Sequence, residues 1–194
     1  SRTLLSALAP DAGPLLEAVG HGDEGLGEAV ALALRADRAT RAALLTAVED
    51  GARTLLAAAR TAGPDAGNAD ADAATLRAGR LALDLLARFP GDPGVLVALL
   101  LEDVDLAPGE SVFVAPGTPH AYLSGLGLEV MPPSDQVLRG GLTVKPIDVE
   151  GFLGVLDAGR TGVPATGVLA RRLDGAGWRR HVFPSDAFVV DEVD

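Results

Sequence analysis

The chain has 194 residues, of which 48% are hydrophobic, and a formal net charge of −11 at pH 7. This length is enough for one domain and a second small one. An acidic surface disfavours nucleic acid and anionic membranes as partners, because both bind positively charged patches. No apolar run approaches the roughly 20 residues of a membrane-spanning helix. The composition therefore predicts a soluble globular protein.

The cysteine count and the first residues bear on where the protein works. With no cysteine, the chain can form neither a disulfide framework nor a thiolate metal site. Its first residues, Ser-Arg-Thr, lack the basic and apolar series of a secretory signal. We expect a cytoplasmic protein, with a monomer favoured over an oligomer.

Residues 1–90 are rich in Ala, Leu, Arg and Asp and show the spacing of apolar residues typical of helices. Leu26, Val30 and Leu34, for example, are four residues apart. Glycines at 20–22 and the turn-rich segment 63–72 predict breaks between helices. We predict three to five helices, forming a helical domain over residues 1–92.

The segment 89–94, FPGDPG, ends the helical pattern, because its prolines and glycines disfavour both a helix and a central strand. The apolar run 95–101 is interpreted as a last helical turn that leads into a strand. Further short strands, separated by glycine or proline, are predicted at 103–106, 111–115, 120–123, 127–131 and 137–139. Short strands at this spacing favour a sandwich or barrel. The predicted fold class is α+β, with a β domain over residues 93–160.

The C-terminal part combines one helix with three strands. The apolar spacing of residues 149–156 predicts a short helix. Residues 166–173 and 178–183 read as strands joined by a turn at 174–177, followed by a last strand at 187–193. His181 is interpreted as a surface residue of its strand. We expect residues 161–194 to pack on or extend the β domain.

Most of the rare residue types lie between positions 106 and 148. This stretch contains His120, one of three histidines, together with the only tyrosine, Tyr122, and the only lysine, Lys145. In an acidic chain, a phosphorylated ligand would be repelled unless basic groups converge locally. Arg139 and Lys145 are the basic residues of this stretch that could form such a group.

Two known patterns overlap in this stretch. The spacing of Gly109, Gly117, His120 and Ser124 resembles the second sequence motif of the cupin barrels, in which the histidine binds a metal. The chain departs from that motif at Ala115, where proline is usual, and at Ser124, where asparagine is common. The resemblance implies a cupin-like jelly roll, and it identifies His120 as a candidate metal ligand.

The second pattern is narrower. Residues 116–125 read PGTPHAYLSG and residues 137–143 read VLRGGLT, with Glu129 and Asp135 between them and Lys145 after them. This string resembles the zinc-dependent type I mannose-6-phosphate isomerases, and the resemblance extends over residues 89–148. It implies interconversion of mannose 6-phosphate and fructose 6-phosphate through an enediol, with zinc polarising the carbonyl as a Lewis acid.

The same resemblance implies roles for individual residues. In that family the histidine matching His120 is one of four zinc ligands; the others, a Gln-x-His pair and a glutamate, lie upstream and are missing from this sequence. The zinc site in this chain is therefore expected to be incomplete, and the chain to correspond to a C-terminal portion. Arg139 and Asp135 are implied to be catalytic, and Lys145 and Tyr122 to bind the sugar phosphate. Val144 departs from the Thr-Pro-Lys of the family.

Each of these assignments has a simpler alternative. Arg139 and Asp135 could form only an ion pair, Tyr122 could fill a core, and Glu129 could be a hydrogen-bond partner behind a ligand. The glycines at 140 and 141 are interpreted as allowing close approach of the backbone to a ligand.

Two other classes of function stay open. One is a non-catalytic cupin-like module, which binds a sugar phosphate or is structural and lacks the upstream metal ligands. The other is a helical interaction protein with a vestigial barrel. A hydrolase triad of Ser124, His120 and Asp135 is disfavoured, because no Gly-x-Ser-x-Gly elbow is present.

Overall fold

The structure is a computed structural model that describes residues 12–20, 23–61, 69–134, 137–158, 170–173, 178–181 and 186–193. Five helices lie between residues 13 and 98, a sixth follows at 149–155, and a small sheet lies between residues 170 and 193. The helices are α1 (Gly13–Val19), α2 (Asp23–Arg35), α3 (Arg38–Thr61), α4 (Ala69–Arg88), α5 (Gly94–Ala98) and α6 (Val149–Val155). The strands are β1 (Ala170–Leu173), β2 (Trp178–His181) and β3 (Val190–Val193).

The hydrophobic core lies among the helices. Helices α3 and α4 pack along each other, α1 packs on α2, and α2 also contacts α5 and α6. The apolar spacing in α2 produces this packing, because Val30 and Leu34 are buried and Leu26 is packed against the core. The short helix α5 is buried as well, with Val95 and Leu96 fully enclosed. The helical body therefore includes residues beyond position 92.

The predicted break at 20–22 agrees with the end of α1, whereas the break predicted at 63–72 extends too far along the chain. Helix α1 ends at Val19, and Gly20 follows it as the C-cap residue. Helix α3 ends at Thr61 and α4 begins at Ala69, so α4 starts inside the segment predicted to be a turn. At its other end α4 carries Arg88 in the last turn, where positive charge is favourable next to the helix C-terminus.

The C-terminal elements form a three-stranded antiparallel sheet in the order β1-β2-β3. The strands predicted at 166–173, 178–183 and 187–193 are confirmed over residues 170–173, 178–181 and 190–193, whereas the predicted turn at 174–177 lies outside the described residues. The interpretation of His181 as a surface residue is wrong. Its side chain is 8% exposed, and its Nδ1 lies 3.0 Å from Ser111 Oγ. This hydrogen bond links the sheet to the middle of the chain.

The middle of the chain differs most from expectation. The described residues between 101 and 148 contain no strand, so the short strands predicted there, including the one after residues 95–101, are wrong for this structure, and the cupin barrel is not confirmed. A strand needs a neighbour that pairs with its amides and carbonyls, and the described residues provide none to this segment. The fold is helix-rich with a separate small antiparallel sheet. None of its described helices is both long and apolar enough to cross a membrane.

Candidate active site

A tight turn of the backbone precedes His120. The amide of Thr118 donates to the carbonyl of Ala115 over 3.1 Å, and Gly117 has a φ of +82°, which favours glycine. The Gly117 carbonyl in turn accepts from the amide of Asp157, 3.0 Å away. A Cβ added at Gly117 would lie 2.7 Å from the carbonyl oxygen of Val155. The turn is therefore held by the end of helix α6 and the residues after it.

The imidazole of His120 is exposed and its orientation is fixed by a backbone hydrogen bond. Its Nδ1 lies 3.1 Å from the carbonyl oxygen of Thr118. A carbonyl can only accept, so Nδ1 carries the proton of this hydrogen bond and the lone pair is on Nε2. Metal-binding histidines commonly use one nitrogen for the metal and the other for such a backbone contact. In the neutral ring, Nε2 of His120 is therefore the nitrogen left to accept another contact.

Tyr122 lies beside His120, as expected for residues two apart on an extended segment. The two ring centroids are 6.0 Å apart, with an edge-to-face angle of 67°. The interpretation of Tyr122 as core filling is wrong, since the residue is 73% exposed. Partial burial of its hydroxyl and a hydrogen bond to Glu129 both raise the pKa of Tyr122 above its ordinary value. His120, Tyr122 and Glu129 thus form one polar cluster.

The contact between Tyr122 and Glu129 can be tested by titration. Tyr122 is the only tyrosine of the chain, so tyrosinate absorbance in the near ultraviolet reports this residue alone. We expect Glu129→Gln to lower the pKa of Tyr122 towards the ordinary value, because the substitution removes a negative charge that opposes ionisation of the phenol. Glu110→Gln, at an exposed glutamate that hydrogen-bonds to the amide of Ala107, is the control. Identical titration curves for Glu129→Gln and the wild type would contradict the contact.

The structure describes no contact between the remaining predicted site residues and the cluster of His120, Tyr122 and Glu129. Arg139 is half-buried as a residue, and its Nη1 donates to the carbonyl of Val137 in an exposed hydrogen bond that is long, at 3.4 Å. Lys145 is exposed, and within the described residues its ammonium makes no ion pair. Asp135 lies outside the described residues. The structure brings His120 and Tyr122 together and describes no contact of either with Arg139 or Lys145.

The glycines after Arg139 pack closely against this chain itself. A Cβ at Gly140 would lie 2.7 Å from Cζ of Phe152, a residue of helix α6. Gly141, with a φ of +127°, lies directly against the backbone of Gly94. The absence of side chains at these positions lets the motif segment approach helices α5 and α6 closely.

Asp92 is a residue that the sequence interpretation did not recognise. Its Oδ1 accepts from the amide of Gly94 over 2.7 Å, and its Oδ2 accepts from the amide of Thr143 over 3.4 Å. In the sequence, this position was noted only as part of the segment 89–94, which ends the helical pattern. An aspartate ahead of a short helix is a known capping signal, but its contact with residue 143 depends on the tertiary fold. Asp92 connects the segment after Arg139 to the helical body.

The described residues do not complete a metal site. No group of three or more His, Cys, Asp or Glu side chains converges among them. His120 presents one free nitrogen, whereas zinc sites use three or four protein ligands. One imidazole fits as a single member of such a set, and the other ligands would have to come from elsewhere.

Comparison with known proteins decides the relationship. The chain is 44% identical over 114 residues to a probable mannose-6-phosphate isomerase of Dictyostelium discoideum, and 56% identical over 61 residues to the mannose-6-phosphate isomerase of Salmonella typhimurium. These alignments cover 58% and 31% of this chain. The chain is similar over part of its length to mannose-6-phosphate isomerases. The predicted resemblance to these isomerases is confirmed, although no family model matches the sequence.

The likeness to the isomerases extends to the fold. An arginine-to-alanine mutant of the phosphomannose isomerase of Salmonella typhimurium superposes with a TM-score of 0.66 and 26% identity, over 97% of this chain and 44% of that chain. A glutamate-to-alanine mutant of the same isomerase gives a TM-score of 0.64. The sequence alignments span about a quarter of the length of the Dictyostelium relative and about a sixth of the Salmonella relative, whereas the structural match spans 44% of the Salmonella chain.

Proposed function

We propose that this chain is the part of a mannose-6-phosphate isomerase that presents one metal-binding imidazole and the residues around it. The exposed ring of His120 carries this proposal. Its Nδ1 is engaged by Thr118, its Nε2 is free, and it follows a glycine turn held by residue 157. The chain that carries this ring is similar over 114 and 61 residues to two proteins named for this activity.

The proposed reaction sets chemical demands that this chain meets in part. Interconverting mannose 6-phosphate and fructose 6-phosphate moves a proton between two adjacent carbons and places negative charge on the enediol oxygens. Zinc, when bound, would polarise the substrate carbonyl. His120 is the residue of this chain that would hold it, and the missing ligands and the cupin-like barrel would come from the remainder of the isomerase fold.

Arg139 and Lys145 supply the positive charge that a sugar phosphate requires. The chain is strongly acidic overall, so an anionic substrate needs a local cationic group to bind. A guanidinium can donate two parallel hydrogen bonds to an enediolate or a phosphate, whereas the lysine acts as a point charge. We assign catalysis to Arg139 together with Asp135, and substrate binding to Lys145 and Tyr122.

The spacing of two substitutions in the solved structures supports this choice. The glutamate and the arginine replaced by alanine in the two Salmonella structures have position numbers that differ by ten. Glu129 and Arg139 are also ten residues apart. We propose that Glu129 and Arg139 occupy the positions that match the two substituted residues. Glu129, which lies in the same cluster as Tyr122 and His120, would then contact the substrate.

The alternative is a module that binds a sugar phosphate without catalysis. Both proposals expect Arg139 and Lys145 to bind the phosphate. Only the enzyme proposal also expects bound metal and conversion of the substrate. Stoichiometric zinc with isomerase activity supports the enzyme, whereas retained binding of mannose 6-phosphate without metal supports the module. A cytoplasmic location and a monomeric state also remain predictions.

A chimaera tests the isomerase proposal. The part of the Salmonella isomerase that lies outside the structural match is joined to this chain, and conversion of mannose 6-phosphate is assayed with added zinc. We expect turnover in the chimaera, and Arg139→Ala should lower kcat by about a hundredfold or more while zinc content stays unchanged, as is usual for removal of a charge-stabilising donor.

Arg53→Ala is the matched control for this experiment. Arg53 is an exposed arginine of helix α3 that pairs with Glu49, so its loss should leave kcat unaltered. Full activity of Arg139→Ala would remove Arg139 from the site. A folded chimaera that binds zinc and mannose 6-phosphate without converting it would overturn the enzyme and favour the module.

A further inference from the structure

The segment that follows Arg139 is held against the helical body at two consecutive glycines. A Cβ added at Gly140 would lie 2.7 Å from the ring of Phe152, and Gly141 lies directly against the backbone of Gly94. Phe152 packs against the hydrophobic core, and Gly94 is buried. The backbone after Arg139 is therefore in close contact with helices α5 and α6.

The same segment has an unfavourable backbone conformation at Leu142. Its φ is +54°, and among the described residues no other non-glycine residue has a positive φ. A residue with a side chain adopts this left-handed region only where the surrounding structure holds it there, and such residues are frequent at functional sites. The contacts on either side of Leu142 therefore bear on how the segment keeps its shape.

Asp92 makes a contact on the C-terminal side of Leu142. One of its carboxylate oxygens accepts from the amide of Gly94 over 2.7 Å, and the other accepts from the amide of Thr143 over 3.4 Å. Both hydrogen bonds are partly buried, and the second joins residues 51 positions apart. A single carboxylate thus connects the start of helix α5 to the segment that crosses it.

The contact continues from Thr143 to the second cation of the proposed site. The hydroxyl oxygen of Thr143 accepts from the amide of Lys145 over 3.1 Å. Arg139 and Lys145 therefore lie on the two sides of the segment 140–143, which Asp92 helps to hold. Groups that act on one substrate must keep a fixed geometry, because a displacement of about 1 Å can cost a hundredfold in rate.

We propose that Asp92 is a positioning residue, which fixes the segment 140–143 and with it the spacing of Arg139 and Lys145 for a sugar phosphate. Both of its carboxylate oxygens are engaged by backbone amides, so it acts through the two cations and not on the substrate. The choice of ligand rests on the proposed function. The link between Asp92 and residue 143 rests on the geometry of this chain alone.

Asp92→Asn tests the link in the 194-residue chain. Asparagine has one accepting oxygen, so it can keep the shorter bond to Gly94 and loses the bond to Thr143. We expect the Thr143 amide to be protected in the wild type and to exchange with deuterium about tenfold faster in the variant, as measured by NMR. Asp37→Asn is the matched control, because Asp37 also precedes a helix and accepts from the amide of Thr40 over 2.7 Å. Equal exchange at residue 143 in Asp92→Asn and the wild type would overturn the link.

The role of Asp92 in the site is tested in the chimaera with the Salmonella isomerase. There Asp92→Asn should raise the KM for mannose 6-phosphate about tenfold and weaken inhibition by inorganic phosphate to a similar extent, with zinc content unchanged. Asp37→Asn should leave both constants as they are in the wild type.

A purely structural role would give a different result. An Asp92→Asn chimaera that is less stable in urea but keeps the wild-type KM and phosphate inhibition would overturn the proposal. A wild-type chimaera that neither converts nor binds mannose 6-phosphate would overturn the proposed function and the ligand named here. Faster exchange at residue 143 would in that case still support the hold of Asp92 on the segment 140–143.

Discussion

A Gly94→Ala variant is expected to lose about 3 kcal/mol of unfolding free energy, towards the upper end for overpacking of a core. The added Cβ would lie 2.6 Å from the amide nitrogen of Leu142 and 2.7 Å from the Cα of Gly141. These are backbone atoms, so no side-chain rotation can make room. The substitution must move the segment after Arg139 away from helix α5, which is part of the buried core.

Urea unfolding followed by circular dichroism measures this loss for Gly94→Ala. Gly127→Ala is the matched control, because a Cβ at Gly127 meets nothing within 4 Å. The control should shift the unfolding midpoint little, while Gly94→Ala should lower it clearly. Indistinguishable midpoints for the two variants would mean that the close crossing of residues 94 and 141 is not formed in solution.

The second large effect is expected from His120→Ala in the chimaera with the Salmonella isomerase. Loss of the proposed ligand should lower zinc affinity by about a hundredfold or more, because the remaining ligands of the proposed site would bind the metal less tightly. Turnover should fall with the metal. Stability in urea, measured without metal, should not change, since the imidazole is exposed and its one described hydrogen bond is to the neighbouring Thr118 carbonyl.

Zinc content per protein, measured after dialysis, and turnover of mannose 6-phosphate are the two readouts for this variant. His181→Asn provides the histidine control. His181 is buried and bonded to Ser111, so its replacement should lower stability and leave zinc in place. Retention of stoichiometric zinc by His120→Ala would show that other residues hold the metal.

Much of the helical body could be predicted from the sequence, because its signals are local. Leu26, Val30 and Leu34 repeat at the helical period, and their side chains pack inward as that period requires. Gly20 ends α1, and the apolar spacing of residues 149–156 predicted α6. The C-terminal strands were equally readable, since β1 and β2 flank a short turn-like sequence.

The middle segment could not be predicted in the same way. Alternating residues such as Leu126, Leu128 and Val130 have the pattern of a strand, yet the described structure gives them no pairing. A strand pattern expresses a preference that becomes structure only when a partner strand is adjacent. Periodicity alone therefore predicted β structure in a segment to which the described residues supply no partner strand.

Sequence by itself determined the identity of the relatives and of the candidate ligand, because PGTPHAYLSG with VLRGGLT is a chemical pattern that needs no coordinates. Only the tertiary structure decided that Nδ1 of His120 is engaged by a carbonyl, that Tyr122 faces Glu129, and that Gly141 packs on Gly94. It also decided that His181 is buried. These facts join residues far apart in sequence or fix the direction of a single ring, and both depend on how the backbone is folded in three dimensions.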